Sequence, residues 1–160
     1  MVLMISEGMT VSKSRADNIR RTRILTLASL APMYVMAALA WAEPWREITL
    51  TGLVGYAAIS LTFAGAIHWG RVLGQFNQSN QFPTQLFGVL AAFIGWAGLL
   101  LPRELSLPML SAGLMFLWGT EQMLFNDELP RWYGQLRTQL TAGAVLAMLI
   151  GWAAAMMPMF

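Results

Sequence analysis

The sequence predicts an all-α integral membrane bundle of five transmembrane helices, and three observations carry that prediction. The chain of 160 residues is 57% hydrophobic and 11% charged, against roughly 45–50% and about 25% in a soluble domain. Its mean hydropathy is +0.56, too high for a chain that must cover itself with polar surface. Its apolar residues gather into five runs, each of about 17–25 residues and so near the length a helix needs to cross a bilayer. Strands do not fit. The runs are too long, they do not alternate, and open strand edges would stay unpaired in lipid. The absence of cysteine excludes disulfides, thiolate metal sites and iron–sulfur clusters. A single histidine excludes a bis-histidine haem held by one chain. No metal site and no nucleic-acid partner is expected.

The elements follow in order. Residues 1–23 form a polar, basic arm with Lys13, Arg15, Arg20, Arg21 and Arg23, half of the ten Lys and Arg residues. It reads as a cytoplasmic arm that meets anionic lipid or an acidic subunit, at about 1 kcal/mol per basic residue near the surface. Residues 24–160 form the transmembrane domain, with helix one at about 24–42. An arginine pair, an apolar run and then Ala38-Leu39-Ala40 also match a cleaved export signal. A run of 19 residues is long for a signal core and favours a retained helix. Glu43-Pro44-Trp45-Arg46-Glu47 is a charged turn, and helix two follows at about 48–69. Residues 75–84 are an uncharged polar loop, and Pro83 opens helix three at about 85–101, since proline is tolerated in a first helical turn. Pro102-Arg103-Glu104 ends that helix. Helix four spans about 107–125, Asn126 to Arg131 separates, and helix five spans about 136–160.

Orientation follows from the placement of Lys and Arg. The N-terminal arm with Arg71, Arg131 and Arg137 puts eight of the ten on one side, against Arg46 and Arg103 on the other. The N-terminus is therefore expected in the cytoplasm and the C-terminus outside. Trp41 and Trp45 fall at the outer interface and Trp69 and Trp132 at the inner one, where a bilayer favours tryptophan.

Few residues are candidates for chemistry. His68 ends helix two. It is either a ligand to a pigment or haem, a proton relay or a quinone hydrogen bond, or an interfacial histidine bonded to a carbonyl or carboxylate. Glu121 is the only acidic residue well inside an apolar run, roughly 6 Å from the inner end at 1.5 Å per residue. It is either functional, as intramembrane carboxylates are by default, or it snorkels to the headgroups. Both side chains lie at the same level, so a His68–Glu121 pair within hydrogen-bond or one-water reach is expected. The segment from Leu129 to Arg137 is expected in the headgroup layer, its arginines holding lipid phosphate or the Glu121 carboxylate. Gly143, Ala147, Gly151 and Ala155 form a small-residue stripe on helix five. Such a stripe allows close helix packing, against helix two (Gly52, Gly55, Ala58, Ala64, Gly65) or against a second copy or larger partner. The twelve methionines give adaptable surfaces. There is no phosphate loop, no Ser/His/Asp set and no HExxH motif, so a non-enzymatic protein is expected.

Several motifs then resemble a known family. They are Pro32, Gly55-Tyr56-Ala57, the stretch Phe63-Ala64-Gly65-Ala66-Ile67-His68-Trp69-Gly70, and Pro130-Arg131-Trp132-Tyr133-Gly134-Gln135-Leu136-Arg137, with Pro83 and Trp96 in helix three. Across roughly residues 25–150 the chain resembles the DUF3429 family of small membrane proteins, related to eukaryotic transmembrane protein 69. It departs from the family in Ser29-Leu30-Ala31-Pro32-Met33 and in the long basic N-terminus. The resemblance implies a five-helix inner-membrane protein, bacterial or mitochondrial in kind, with a retained first helix. It supports no catalytic residue, and the cofactor stays unknown. It marks His68, Trp69, Trp132, Tyr133 and Arg137 as a site, which Arg71 and Glu121 complete as a polar cluster on one membrane face. Two functions are expected from this chain. One is an accessory subunit or assembly factor packed against a larger membrane complex of other subunits, with a homodimer possible. The other is a small membrane protein that binds a quinone, tetrapyrrole or lipid in a pocket near His68, Glu121 and Tyr133.

Overall fold

The computed structural model describes residues 16–74, 82–125 and 130–157. The expectations at Lys13, Arg15, residues 75–81 and 126–129 and the last three residues, and at the Arg71 side chain, lie outside the described residues. Among the described residues every regular element is helical. Helix α1 is Ala16–Leu39, interrupted at Ser29-Leu30 and regular again over Ala31–Leu39. After a short 3-10 turn at Glu43–Trp45 come α2 (Arg46–Gly74), α3 (Phe82–Leu100), α4 (Arg103–Phe125) and α5 (Arg131–Ala155).

The interruption in α1 has a local cause. Pro32 has no N–H to give to the preceding turn. There the chain tightens, with the Leu30 N–H on the Leu27 carbonyl at 3.1 Å and the Ser29 hydroxyl on the Thr26 carbonyl at 2.6 Å. The Tyr56 hydroxyl of α2 donates to the Ser29 carbonyl at 2.8 Å, tying the break to the bundle.

Helix α4 carries the same problem and a different answer. It starts at Arg103, ahead of the apolar run, because the Pro102 carbonyl accepts the N–H groups of Leu105 and Ser106. Pro108 then lies inside the helix and leaves the Glu104 carbonyl without its usual donor. The Trp152 indole N–H of α5 fills that vacancy at 2.9 Å. Helix α5 also starts early. Pro130, at φ −58 and ψ 136, caps it, and its carbonyl accepts the Tyr133 and Gly134 N–H groups at 2.9 and 3.2 Å. The stretch expected to lie in the headgroup layer, 131–137, is thus the first turns of α5. The helix ends at Ala155, short of the expected 160.

Helix α2 stands at the centre and touches the other four, while α1 packs on α2 and α5, and α3 on α2 and α4. The contacts are made close by small residues. A Cβ at Gly65 would meet the Ala91 Cβ at 2.5 Å and the Gly88 carbonyl at 3.2 Å, and one at Gly88 would collide with the Trp69 ring. Gly95 rests on the Ala58 carbonyl. So Ala58 and Gly65 of α2 face α3, and Gly52 faces Met36 of α1, not α5 as the small-residue pattern suggests. The stripe on α5 is occupied within the chain: Gly151 receives the Leu53 side chain, Gly143 faces Leu30 of α1, and Ala147 is fully buried.

The interior and exterior differ in an unusual sense. The core is rich in alanine (Ala37, Ala57, Ala64, Ala91, Ala147) and also holds Arg46, His68, Glu121 and Arg137. Leu25, Ile59, Phe63, Phe93 and Trp96 point outward. Three segments, Ala16–Leu39, Glu43–Gly70 and Arg131–Ala155, are long and apolar enough to cross a membrane, and Gln85–Leu100 is a shorter apolar helix. Gly119-Thr120-Glu121-Gln122 makes the end of α4 more polar than its neighbours.

Candidate functional site

Helices α4 and α5 are antiparallel neighbours. Glu121 lies near the end of the first and Arg137 near the start of the second, so the two reach the same level. The Arg137 Nε donates to the Glu121 Oε2 at 2.6 Å, with the residues 5% and 1% exposed. Burial of both ions is costly, and their attraction offsets that cost only when the geometry is good. The Arg137 Nη2 also lies 3.5 Å from the Ala64 carbonyl of α2. One guanidinium thus joins three helices. Of the two partners weighed for this arginine, phosphate or Glu121, the carboxylate is the one the fold supplies. Glu121 does not snorkel; it is held inside the bundle.

His68 follows Ala64 by one turn on α2 and is 1% exposed. It is not at an open interface. Its ring faces Phe87 of α3, with centroids 6.4 Å apart. Trp69 points away from it, half exposed and packed over Gly88. Trp132 and Tyr133 are part-buried, their rings edge-on at 6.1 Å. Arg131 is exposed. Arg20 and Arg21 are exposed on the first turns of α1, and the Arg23 guanidinium donates to the Gln135 side chain at 3.2 Å.

Between α1, α2 and α5 lies a cavity of about 570 Å³. Leu25, Met33, Phe63, Leu140 and Ala144 make its apolar walls. Trp132, Tyr133 and Arg137 make its polar end. This cavity lies beside the residues near which a pocket is expected: Arg137 lines it and holds Glu121 at 2.6 Å, and Ile67, next to His68, lines it too. Tyr133 lines this cavity, whereas His68 and Glu121 do not. Arg137 connects it to the carboxylate behind.

At the opposite end of the bundle the sequence reading missed a tie. Arg46, read as a charge in a turn, is 7% exposed. Its Nη2 donates to the Ala154 carbonyl in the last turn of α5 at 2.9 Å, beside the Met157 N–H that the same carbonyl accepts at 3.3 Å, at a helix end whose dipole favours a cation. Arg103 pairs with Glu47 at 2.6 Å beside it. The sequence shows a cation of the right sign but not which helix end lies next to it.

A family model described as a protein of unknown function, DUF3429, matches residues 19–153. The chain belongs to the DUF3429 family. No curated protein and no solved structure matches it. The residues that carried the DUF3429 resemblance have physical roles in the fold. Pro32 and Tyr56 make and tie the break in α1, Gly65 lets α3 approach, and Arg137 neutralises Glu121.

Proposed function

We propose that this DUF3429 protein is a non-enzymatic protein of the bacterial cytoplasmic membrane that binds a lipid-soluble amphiphile in the cleft between α1, α2 and α5. The cleft carries the reading. It is a cavity of about 570 Å³ whose mostly apolar lining carries a few polar groups, among them Ser60, Thr141 and Arg137, the form ligand sites commonly take. Five crossings accompany it, with the N-terminus inside. The outward Leu, Phe and Trp side chains and the buried polar ones suit hydrocarbon surroundings. The shorter helix α3, at 19 residues, measures about 28 Å at 1.5 Å per residue, near the ~30 Å of a bilayer core. Arg20, Arg21 and Arg131 are exposed at one end, while Arg46 and Arg103 at the other are matched by Glu43 and Glu47. That asymmetry favours the stated orientation.

A second reading, a subunit docked on a larger membrane complex, is favoured by the outer face of α2 and α3. A shallow groove there of about 560 Å³ has Gly88 and Ala92 as its floor and Trp69, Phe93 and Trp96 at its rim. The stripe on α5, which also suggested docking, is used inside the chain.

Native mass spectrometry after mild extraction from the source membrane separates the two. The cleft reading expects a small retained mass on the wild-type protein, absent from Ser60→Phe, which fills the cavity from α2. Identical spectra without a retained mass would contradict it. Migration with a complex far heavier than 17.7 kDa supports docking.

A further inference from the structure

We infer that the first turns of α1 and α5 hold the phosphate of an anionic lipid, with Arg23 as its anchor and Arg20 and Arg131 beside it. The site lies next to the cleft but apart from it, since neither Arg23 nor Gln135 lines the cavity. It does not depend on the cleft reading.

Helix direction brings the three arginines together. Arg23 of α1 meets Gln135 of α5, and Leu30, further along α1, meets Gly143, further along α5. The two helices are therefore parallel. Residues three and four apart share a helix face, so Arg20 lies on the Arg23 face and Arg131 on the Gln135 face. Each is one turn nearer the start of its helix, about 4.5 and 6 Å at 1.5 Å per residue. Arg20 and Arg131 are exposed. Among the described residues no carboxylate pairs with any of the three, exposed Asp17 included.

Arg23 is half-buried between the helices. Its Nη2 donates to the Gln135 Oε1 at 3.2 Å, a neutral acceptor. Its Nε is shut off from solvent and meets no acceptor among the described residues. A covered donor without a partner is costly, and a phosphate oxygen at the Arg23–Gln135 contact removes that cost. The guanidinium fork matches phosphate oxygens two at a time. Helix α5 adds to the field. Its first turn has no acidic residue and no side-chain cap, and the dipole at a helix start favours an anion. The surroundings point to a lipid as the source of the phosphate. Ile24, Leu25 and Leu27 are exposed beside Arg23, where acyl chains would lie. Trp132, next to Arg131, is a side chain that bilayer interfaces favour.

The test is native mass spectrometry of the full chain in a neutral detergent, titrated with dioleoylphosphatidylglycerol or dioleoylphosphatidylcholine. The wild type should take up its first phosphatidylglycerol at a concentration ~10-fold or more below that for phosphatidylcholine, given three basic residues at the site. Arg23→Gln and Arg131→Gln should each weaken that first adduct about fivefold, the effect of one basic residue near a charged surface. Arg103→Gln, at the other end of the bundle, should leave it unchanged. Equal uptake of the two lipids, or wild-type uptake by Arg23→Gln, overturns the site. Ser60→Phe, which fills the cleft, should keep the preference. Its loss there would place the lipid in the cleft, overturning the separate site while the cleft reading stands. Glycerol phosphate, the head without its chains, should not displace the lipid even in large excess, and displacement overturns the lipid as the source. Asp127 and Glu128 precede Arg131 in the chain. Asp127→Asn combined with Glu128→Gln should bind the first phosphatidylglycerol as the wild type does. A clear gain in affinity would show that one of those carboxylates already serves the arginines, and overturns the inference.

Discussion

Glu121 and Arg137 are each a poor choice for an apolar interior, and each is made tolerable by the other. The pair is 2.6 Å apart and almost fully buried. Removing one partner strands the other. Arg137→Ala should therefore cost about 3–5 kcal/mol, whereas replacing both with methionine should be neutral or stabilising. Thermal unfolding in detergent micelles reads both variants, and equal losses would show that the pair is not what holds these helices. The Trp152 indole tests a second local argument. It fills the carbonyl of Glu104 that Pro108 leaves bare. Trp152→Phe should cost about 1–3 kcal/mol by stranding that carbonyl. In a Pro108→Ala background the helix supplies its own donor, so the same substitution should cost clearly less. A double-mutant cycle without coupling would refute the account. At this scale the sequence made Glu121 visible as an ion inside an apolar run, and placed Arg137 in the headgroup layer with phosphate or that carboxylate as its partner. It did not single out Arg137 among the partners it offered for the carboxylate, because equal depth along two helices says nothing about which faces meet.

Elements were legible where lipid length dictates them and blurred where it does not. Apolar runs mark all five helices, yet α4 and α5 begin earlier than their runs. Proline at 102 and 130 starts a helix through its carbonyl whatever the polarity of the residues that follow. The small-residue stripe on α5 lies against other helices at Gly143 and Gly151. Its neighbours, Leu30 and Leu53, are large residues that insert over it, so searching for a matching stripe on α2 misled. On α2, Ala58 and Gly65 serve α3 and Gly52 serves α1. This gives a paired prediction. Gly65→Ala drives a methyl into Ala91 and the Gly88 backbone and should cost about 1–3 kcal/mol as overpacking. Gly55→Ala meets nothing within 4 Å and should gain up to about 1 kcal/mol from helix propensity. Equal effects in a micelle unfolding assay would mean that α2 and α3 are not closely apposed.

For the molecule as a whole, fold class and family were readable from composition, run length and a few motifs. The cleft was not, since it arises where α1, α2 and α5 meet and no single segment encodes it. The central claim is that all five helices cross the bilayer, so that the cleft opens to lipid and its polar end lies near the cytoplasmic face. Three segments are long and apolar enough alone. The weight falls on α3 and α4, and so on exposed Pro102 between them. The chain has no cysteine, so single cysteines at Glu43, Pro102 and Arg131 report their own side without background. In intact cells treated with a membrane-impermeant maleimide, the account predicts labelling at positions 43 and 102 and protection at 131. Protection at 102 with labelling at 43 would contradict it, leaving α3 and α4 as a hairpin that never reaches the outer face.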